Sequence, residues 1–242
     1  HADIRRMLLF QKAVVEGSLA LLFQCGIYED LEHVTEGEER ENYNLLLELL
    51  TPVAKTYPSE MGILSCSAGL QILGGYGFCE EFPLEQLYRD VRIHPIHEGT
   101  TGIQGMDLLG RKMTMKKGKA SLLYLAEVRK AIKEAEADAE LKPFADKLAA
   151  AVALLEKVTM HQFGIAAKEG PEVFLSDATL YLEFFGIIAI AWQWLRQATV
   201  AQKALAGGPG EADTNFYQGK LAAFRYFFGY ELPKIQGLSD RL

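Results

Sequence analysis

From one end of the chain to the other, apolar residues return at steps of three and four, and nowhere do they alternate over a strand-length run. That spacing lines up one face of an α-helix, because a 3.6-residue period brings i, i+3, i+4 and i+7 together. Ile4, Leu8, Val15, Leu19, Leu22 and Phe23 predict a helix over 3–26, and Leu45, Leu46, Leu49 and Leu50 another over 43–55. Pro52 falls inside the second pattern, where its missing N–H predicts a kink. The polar stretch 29–42, with Glu36, Glu38 and Glu39, reads as a loop. Pro58 and Ser59 open a helix that runs to Leu73, and Gly74 and Gly75 close it. A short segment over 83–92, a loop, and a helix over about 101–115 follow.

Beyond Gly118 the chain turns to Ala, Glu and Lys, with helices expected at about 119–140, 143–168, 171–206 and 212–232. Pro143 and Pro171 sit near helix starts, where a missing N–H costs least. Gly207-Gly208-Pro209-Gly210 is a break. The reading is all-α: an up-and-down helical bundle over 1–118, followed by an additional helical domain over 119–242.

Composition narrows the function. With 49% hydrophobic and 24% charged residues the chain can bury a core, which excludes a disordered class. A net charge of −7, with Lys116, Lys117 and Lys119 as the one short basic cluster, argues against a nucleic-acid partner. Cys25, Cys66 and Cys79 are odd in number and form no C-x-x-C pair, so no disulfide framework and a cytoplasmic location are expected. The apolar run Phe184 to Leu195 falls short of the roughly twenty residues of a membrane span. It reads as a core helix, with Trp192 and Trp194 in the core and no membrane partner. The chain opens at His1 already in a helical pattern, so a piece of a longer protein is expected.

Residues 71–104 are the least helical stretch and the one that carries chemistry. Gly74, Gly75 and Gly77 leave backbone N–H groups open to close approach. Glu80 stands where G-x-G-x-x-G needs its last glycine and no strand precedes it, which excludes a dinucleotide or P-loop fingerprint. His94-Pro95-Ile96-His97-Glu98 lacks the second histidine of H-E-x-x-H, Thr101 standing there, and Asp30 with His33 is a single pair. No metal is expected. Glu98 to Gly102 leads into a helix, and its hydroxyls can cap that helix or hold a ligand. Arg89 and Asp90 are expected to form an internal ion pair, with Tyr88 and Phe82 packing nearby.

Taken in order, Gln71-Ile72-Leu73-Gly74-Gly75-Tyr76-Gly77, Glu81-Phe82-Pro83, Tyr88-Arg89-Asp90 and Ile96-His97-Glu98-Gly99-Thr100 are similar in sequence and spacing to the signature of acyl-CoA dehydrogenases. The likeness covers about residues 1–115. The remainder resembles the helical extension of the larger subgroup that includes 3-methylmercaptopropionyl-CoA dehydrogenase, through HADIRRMLLFQKAVVEG, GTTGIQGMDLLGRKM and the tail FYQGKLAAFRYFFGYELPKI. The resemblance implies a helical carboxyl-terminal part of a flavoenzyme that oxidises an acyl-CoA thioester to the 2-enoyl-CoA.

By the same resemblance Glu98 is the base that takes the α-proton. Gln71, Gly74, Gly75 and Thr100 match FAD-contacting positions, and His97 and Gly99 lie toward the substrate. A base for so weak an acid is expected to be desolvated, with a raised pKa. His97 replaces the aromatic residue usual before the base, and Gly102 stands where relatives often carry a polar side chain. The family's amino-terminal helical and middle β-domains are missing, so the chain alone is expected neither to hold FAD tightly nor to turn over. A homo-oligomer, dimer or tetramer, and an electron-transfer flavoprotein as acceptor follow from the resemblance. An acyl-CoA oxidase and a non-catalytic interaction module derived from the family are the alternatives.

Overall fold

The apolar stripes find one another along a single long helix near the carboxyl terminus. The computed structural model describes residues 1–242 and holds ten α-helices and no strand. They are α1 (Ala2–Val34), α2 (Gly37–Leu73), α3 (Leu84–Val91), α4 (Thr101–Gly110), α5 (Met115–Ala135), α6 (Lys142–Glu169), α7 (Pro171–Ser176), α8 (Ala178–Ala206), α9 (Glu211–Tyr226) and α10 (Lys234–Ser239). A 3-10 turn, Gly74–Phe78, follows α2, and a π-helical turn, Phe227–Glu231, follows α9.

α1 and α2 form an antiparallel pair, with the Tyr28 and Tyr43 rings stacked 6.1 Å apart near the connection. α8 packs against this pair and is buried without interruption from Phe184 to Leu195. Its approach is close because small residues face it. A Cβ on Gly17 would lie 2.5 Å from Ile190 Cγ2, and one on Gly105 would lie 2.8 Å from the Ala178 backbone. The Trp194 indole N–H donates to the Ala13 carbonyl at 2.9 Å, so one of the two buried tryptophans of the helix has its polar atom satisfied. Tyr124 of α5 stacks on Phe185 and meets Trp192 edge-on. A core of 54 buried residues therefore runs through both stretches of the sequence, on either side of Gly118.

Several boundaries differ from the sequence reading. The expected loop over 29–42 is almost wholly helical, since only Thr35 and Glu36 separate α1 from α2. Glu38 and Glu39 lie in the first turn of α2, where the helix dipole favours negative charge, so an acidic run that looked like a loop is a helix start. α2 continues through Pro52 and Pro58, and no new helix begins at Pro58. Tertiary packing on a long apolar face offsets the hydrogen bond each proline removes. The expected helix over 171–206 is divided at Asp177 into α7 and α8.

Lys116, Lys117 and Gly118 all have positive φ (49°, 59° and 85°), so regular helix begins only at Lys119. Two non-glycine residues in the left-handed region cost roughly 1–3 kcal/mol each. Ion pairs hold this reversal: Lys116 meets Glu41 at 2.8 Å and Lys119 meets Glu38 at 3.2 Å. The basic cluster is thus tied to the acidic start of α2. By length and composition α1 and α8 could each cross a membrane; 83% of the most apolar window of α8 is buried in the core, against 39% for α1.

Candidate active site

Glu98 lies in the connection between α3 and α4, and the local sequence explains that connection's shape. Pro95 is buried and anchors it. The His97 N–H donates to the Ile93 carbonyl at 3.0 Å, closing one turn, and the Thr101 N–H reaches back six residues to the Pro95 carbonyl at 3.2 Å, closing the loop that carries Glu98. Gly99 has φ of 79°, a left-handed backbone that favours glycine, while a Cβ there would displace only the mobile end of the Gln104 side chain. The Thr100 hydroxyl then caps α4, accepting from the Ile103 N–H at 3.4 Å.

Two side chains of α2 hold the connection at its ends. Thr101 donates its hydroxyl hydrogen to Glu60 Oε1 at 2.6 Å, and the Lys55 ammonium donates to the His94 carbonyl. The His94 and His97 rings meet edge-to-face, Nδ1 to Nε2 3.5 Å apart. Glu98 itself is exposed and makes no hydrogen bond or ion pair within the chain. The backbone N–H groups of Glu98, Gly99 and Thr100 likewise have no acceptor within it. The desolvated setting expected for a base is therefore not supplied by these 242 residues.

The structure gathers His97, Glu98, Gly99 and Thr100 in one loop, but leaves Gln71, Gly74 and Gly75 apart from them at the carboxyl end of α2. At about 1.5 Å of rise per residue, Gln71 lies roughly 17 Å along the helix from Glu60 and about 24 Å from Lys55. Gln71, Gly74 and Gly75 line an open hollow with Ser67, Leu70 and Phe78. The glycines there differ. Gly74 has φ of 61° and ψ of −139°, and a Cβ on Gly77 would lie 2.5 Å from the Leu70 carbonyl, so backbone geometry demands both. Gly75 has nothing within 4 Å of a Cβ, so the chain's own packing gives no reason for it.

Apolar side chains surround these groups without cover. Phe78 is 91% exposed, and Tyr76, Ile93, Ile96, Ile103 and Met106 are exposed as well. α3 has no buried residue. The expected ion pair between Arg89 and Asp90 is absent: both side chains point to solvent, because neighbours on a helix face about 100° apart. Tyr76 instead packs on Phe82 with centroids 5.7 Å apart. Sequence reasoning missed Lys55 and Glu60, which sit in an ordinary helical pattern about forty residues before their partners.

Two family descriptions match the chain: "Acyl-CoA dehydrogenase, C-terminal domain" over residues 22–113 and "Acetyl-CoA dehydrogenase C-terminal like" over 124–242. The chain belongs to the acyl-CoA dehydrogenase family. Among curated relatives, a butyryl-CoA dehydrogenase of Syntrophomonas wolfei is 35% identical over 98% of the chain and 39% of its own length. The 3-methylmercaptopropionyl-CoA dehydrogenase of Ruegeria pomeroyi is 35% identical over 100% and 41%. The chain thus spans about two-fifths of the length of these acyl-CoA dehydrogenases. Of solved structures, Caenorhabditis elegans ACDH-11, crystallised with C11-CoA, superposes on 91% of the chain and 35% of its own at a TM-score of 0.74. At 23% identity that match establishes the shared helical fold.

Proposed function

We propose that this chain is the base-bearing helical part of an FAD-dependent acyl-CoA dehydrogenase, with Glu98 removing the α-proton of an acyl-CoA thioester. The observation that carries the reading is the pairing, in one glycine-bent loop, of a free carboxylate with three backbone N–H groups that have no partner. Proton abstraction next to a thioester needs both: a carboxylate to take the proton, and donors for the charge that develops on the carbonyl oxygen. Gly99 lets the substrate approach that backbone closely, and His97 lies at the acyl side. Cover from the rest of the enzyme and from the substrate would desolvate Glu98 and strengthen it as a base. The exposed apolar side chains Ile93 and Ile96 beside Glu98 are the surface such cover would use.

Gln71, Gly74 and Gly75 fit a cofactor contact, since their hollow is open and Gly75 has space that no neighbour in the chain fills. Bound there, FAD would supply the acceptor for the hydride leaving the β-carbon. The distance along α2 between this hollow and the Glu98 loop suits an extended dinucleotide, or two subunits each contributing one end. Thr100 is assigned to the cofactor as well, although its hydroxyl already caps α4. A homo-oligomer and an electron-transfer flavoprotein complete the reading.

The test uses the complete enzyme. Acyl-CoA thioesters are added anaerobically and bleaching of the flavin band is followed, with Glu98→Gln in parallel. Bleaching in the parent and its loss in the variant support the proposal; equal bleaching in both removes Glu98 as the base. Peroxide formation in air would favour the oxidase alternative.

A further inference from the structure

Building on the reading of Glu98 as the base, we propose that Lys55 is a positioning residue. By holding the loop against α2, it fixes where the Glu98 carboxylate lies. Glu98 cannot fix itself, because neither its side chain nor its N–H has a partner in the chain. Its place therefore depends on contacts to either side. Lys55 holds one side and runs beside the other: its ammonium donates to the carbonyl of His94, and its Cε lies 3.9 Å from where a Cβ on Gly99 would stand. The stem and head of one side chain thus bracket the six residues from His94 to Gly99.

The chemistry of Lys55 also sets it apart. Lys12, Lys112, Lys116, Lys119, Lys142 and Lys220 all pair with carboxylates. Lys55 is half-buried, and it is the only lysine whose ammonium donates to a backbone carbonyl. A charged donor makes a stronger bond than a neutral one, and a carbonyl acceptor fixes backbone, not a mobile side chain. Glu60, five residues further along α2, holds Thr101 at the other end of the loop at 2.6 Å. One rigid helix thus supplies two anchors, and the base is suspended between them.

The experiment is made on the complete, flavin-loaded enzyme with Lys55→Met, which keeps the stem and removes the donor, and Lys55→Arg, which keeps a donor. Rate of flavin reduction at saturating acyl-CoA, KM, Tm and amide exchange of the loop are measured. Misplacing a reacting group by about 1 Å costs up to about 100-fold in rate. Lys55→Met is therefore expected to lower the reduction rate by roughly 10- to 100-fold at nearly constant KM and Tm, and to speed exchange of the His97 and Thr101 amides. Lys55→Arg should recover most of the rate. A wild-type rate and wild-type exchange in Lys55→Met overturn the proposal. So does a loss shared equally by Lys55→Arg and matched by a fall in Tm, which is the mark of a merely structural lysine. If Lys55→Met does not fold, Lys55→Gln, with a neutral donor, is scored by the same criteria. Glu98→Gln run alongside separates the two claims: full reduction there sinks the base, while the exchange result still decides the anchor.

Discussion

α8 and the segment from Gly74 to Gln104 are both rich in apolar residues, yet one is the most buried part of the chain and the other among the least. In α8 every apolar group from Phe184 to Leu195 has a partner within the chain. In the glycine-bent segment Phe78, Ile93, Ile96 and Ile103 face outward, and α3 buries nothing. Apolar content therefore measures how much surface must be covered, and not what covers it. The first region is finished by its own fold; the second is shaped by the fold and left open at the face where the proposed chemistry occurs.

The comparison breaks most readily in α8. Trp194→Ala removes a fully buried ring and the indole donor to Ala13, and should cost about 3–5 kcal/mol in urea unfolding. A loss below about 1 kcal/mol would mean that α8 is not the centre of the core. Gly105→Ala forces a methyl group against the Ala178 backbone and should cost roughly 1–3 kcal/mol.

Two glycines two residues apart sharpen the contrast. Gly77→Ala meets the Leu70 carbonyl and should destabilise by roughly 1–3 kcal/mol. Gly75→Ala should leave stability within about 0.5 kcal/mol while weakening flavin retention in the complete enzyme. Unchanged flavin content in Gly75→Ala would remove Gly75 from the cofactor site.

A further small effect concerns charge at the edge of the core. Burial raises the Glu16 carboxyl, but Lys12 and Lys220, the latter 2.9 Å away, outweigh it and leave the pKa below the ordinary carboxylate value. Because the folded value is the lower one, the contribution is complete above the ordinary carboxylate pKa and is lost as pH falls through the folded value. Glu16→Gln should cost no more than about 1 kcal/mol at pH 7 and flatten the acid limb of a stability–pH curve. A variant whose acid limb is as steep as the parent's would show that Glu16 is not responsible.

The sequence by itself determined that the chain is helical and where most helices lie, because a 3.6-residue apolar period is a local property of the chain. It also singled out Glu98, Gly99 and Thr100, through the resemblance of the run Ile96 to Thr100 to the acyl-CoA dehydrogenase signature. The boundaries it misplaced at 29–42 and Pro58 are those where packing on a long apolar face overrides a local breaker, whereas at Asp177 the chain breaks a helix expected to be continuous. Only the tertiary structure decided that α8 lies against α1, α2 and α4, and that Lys55 and Glu60 of α2 reach the loop of the base. These depend on contacts between residues about forty to 180 apart, and nothing in the spacing of side chains along a helix records which distant backbone will come to meet them.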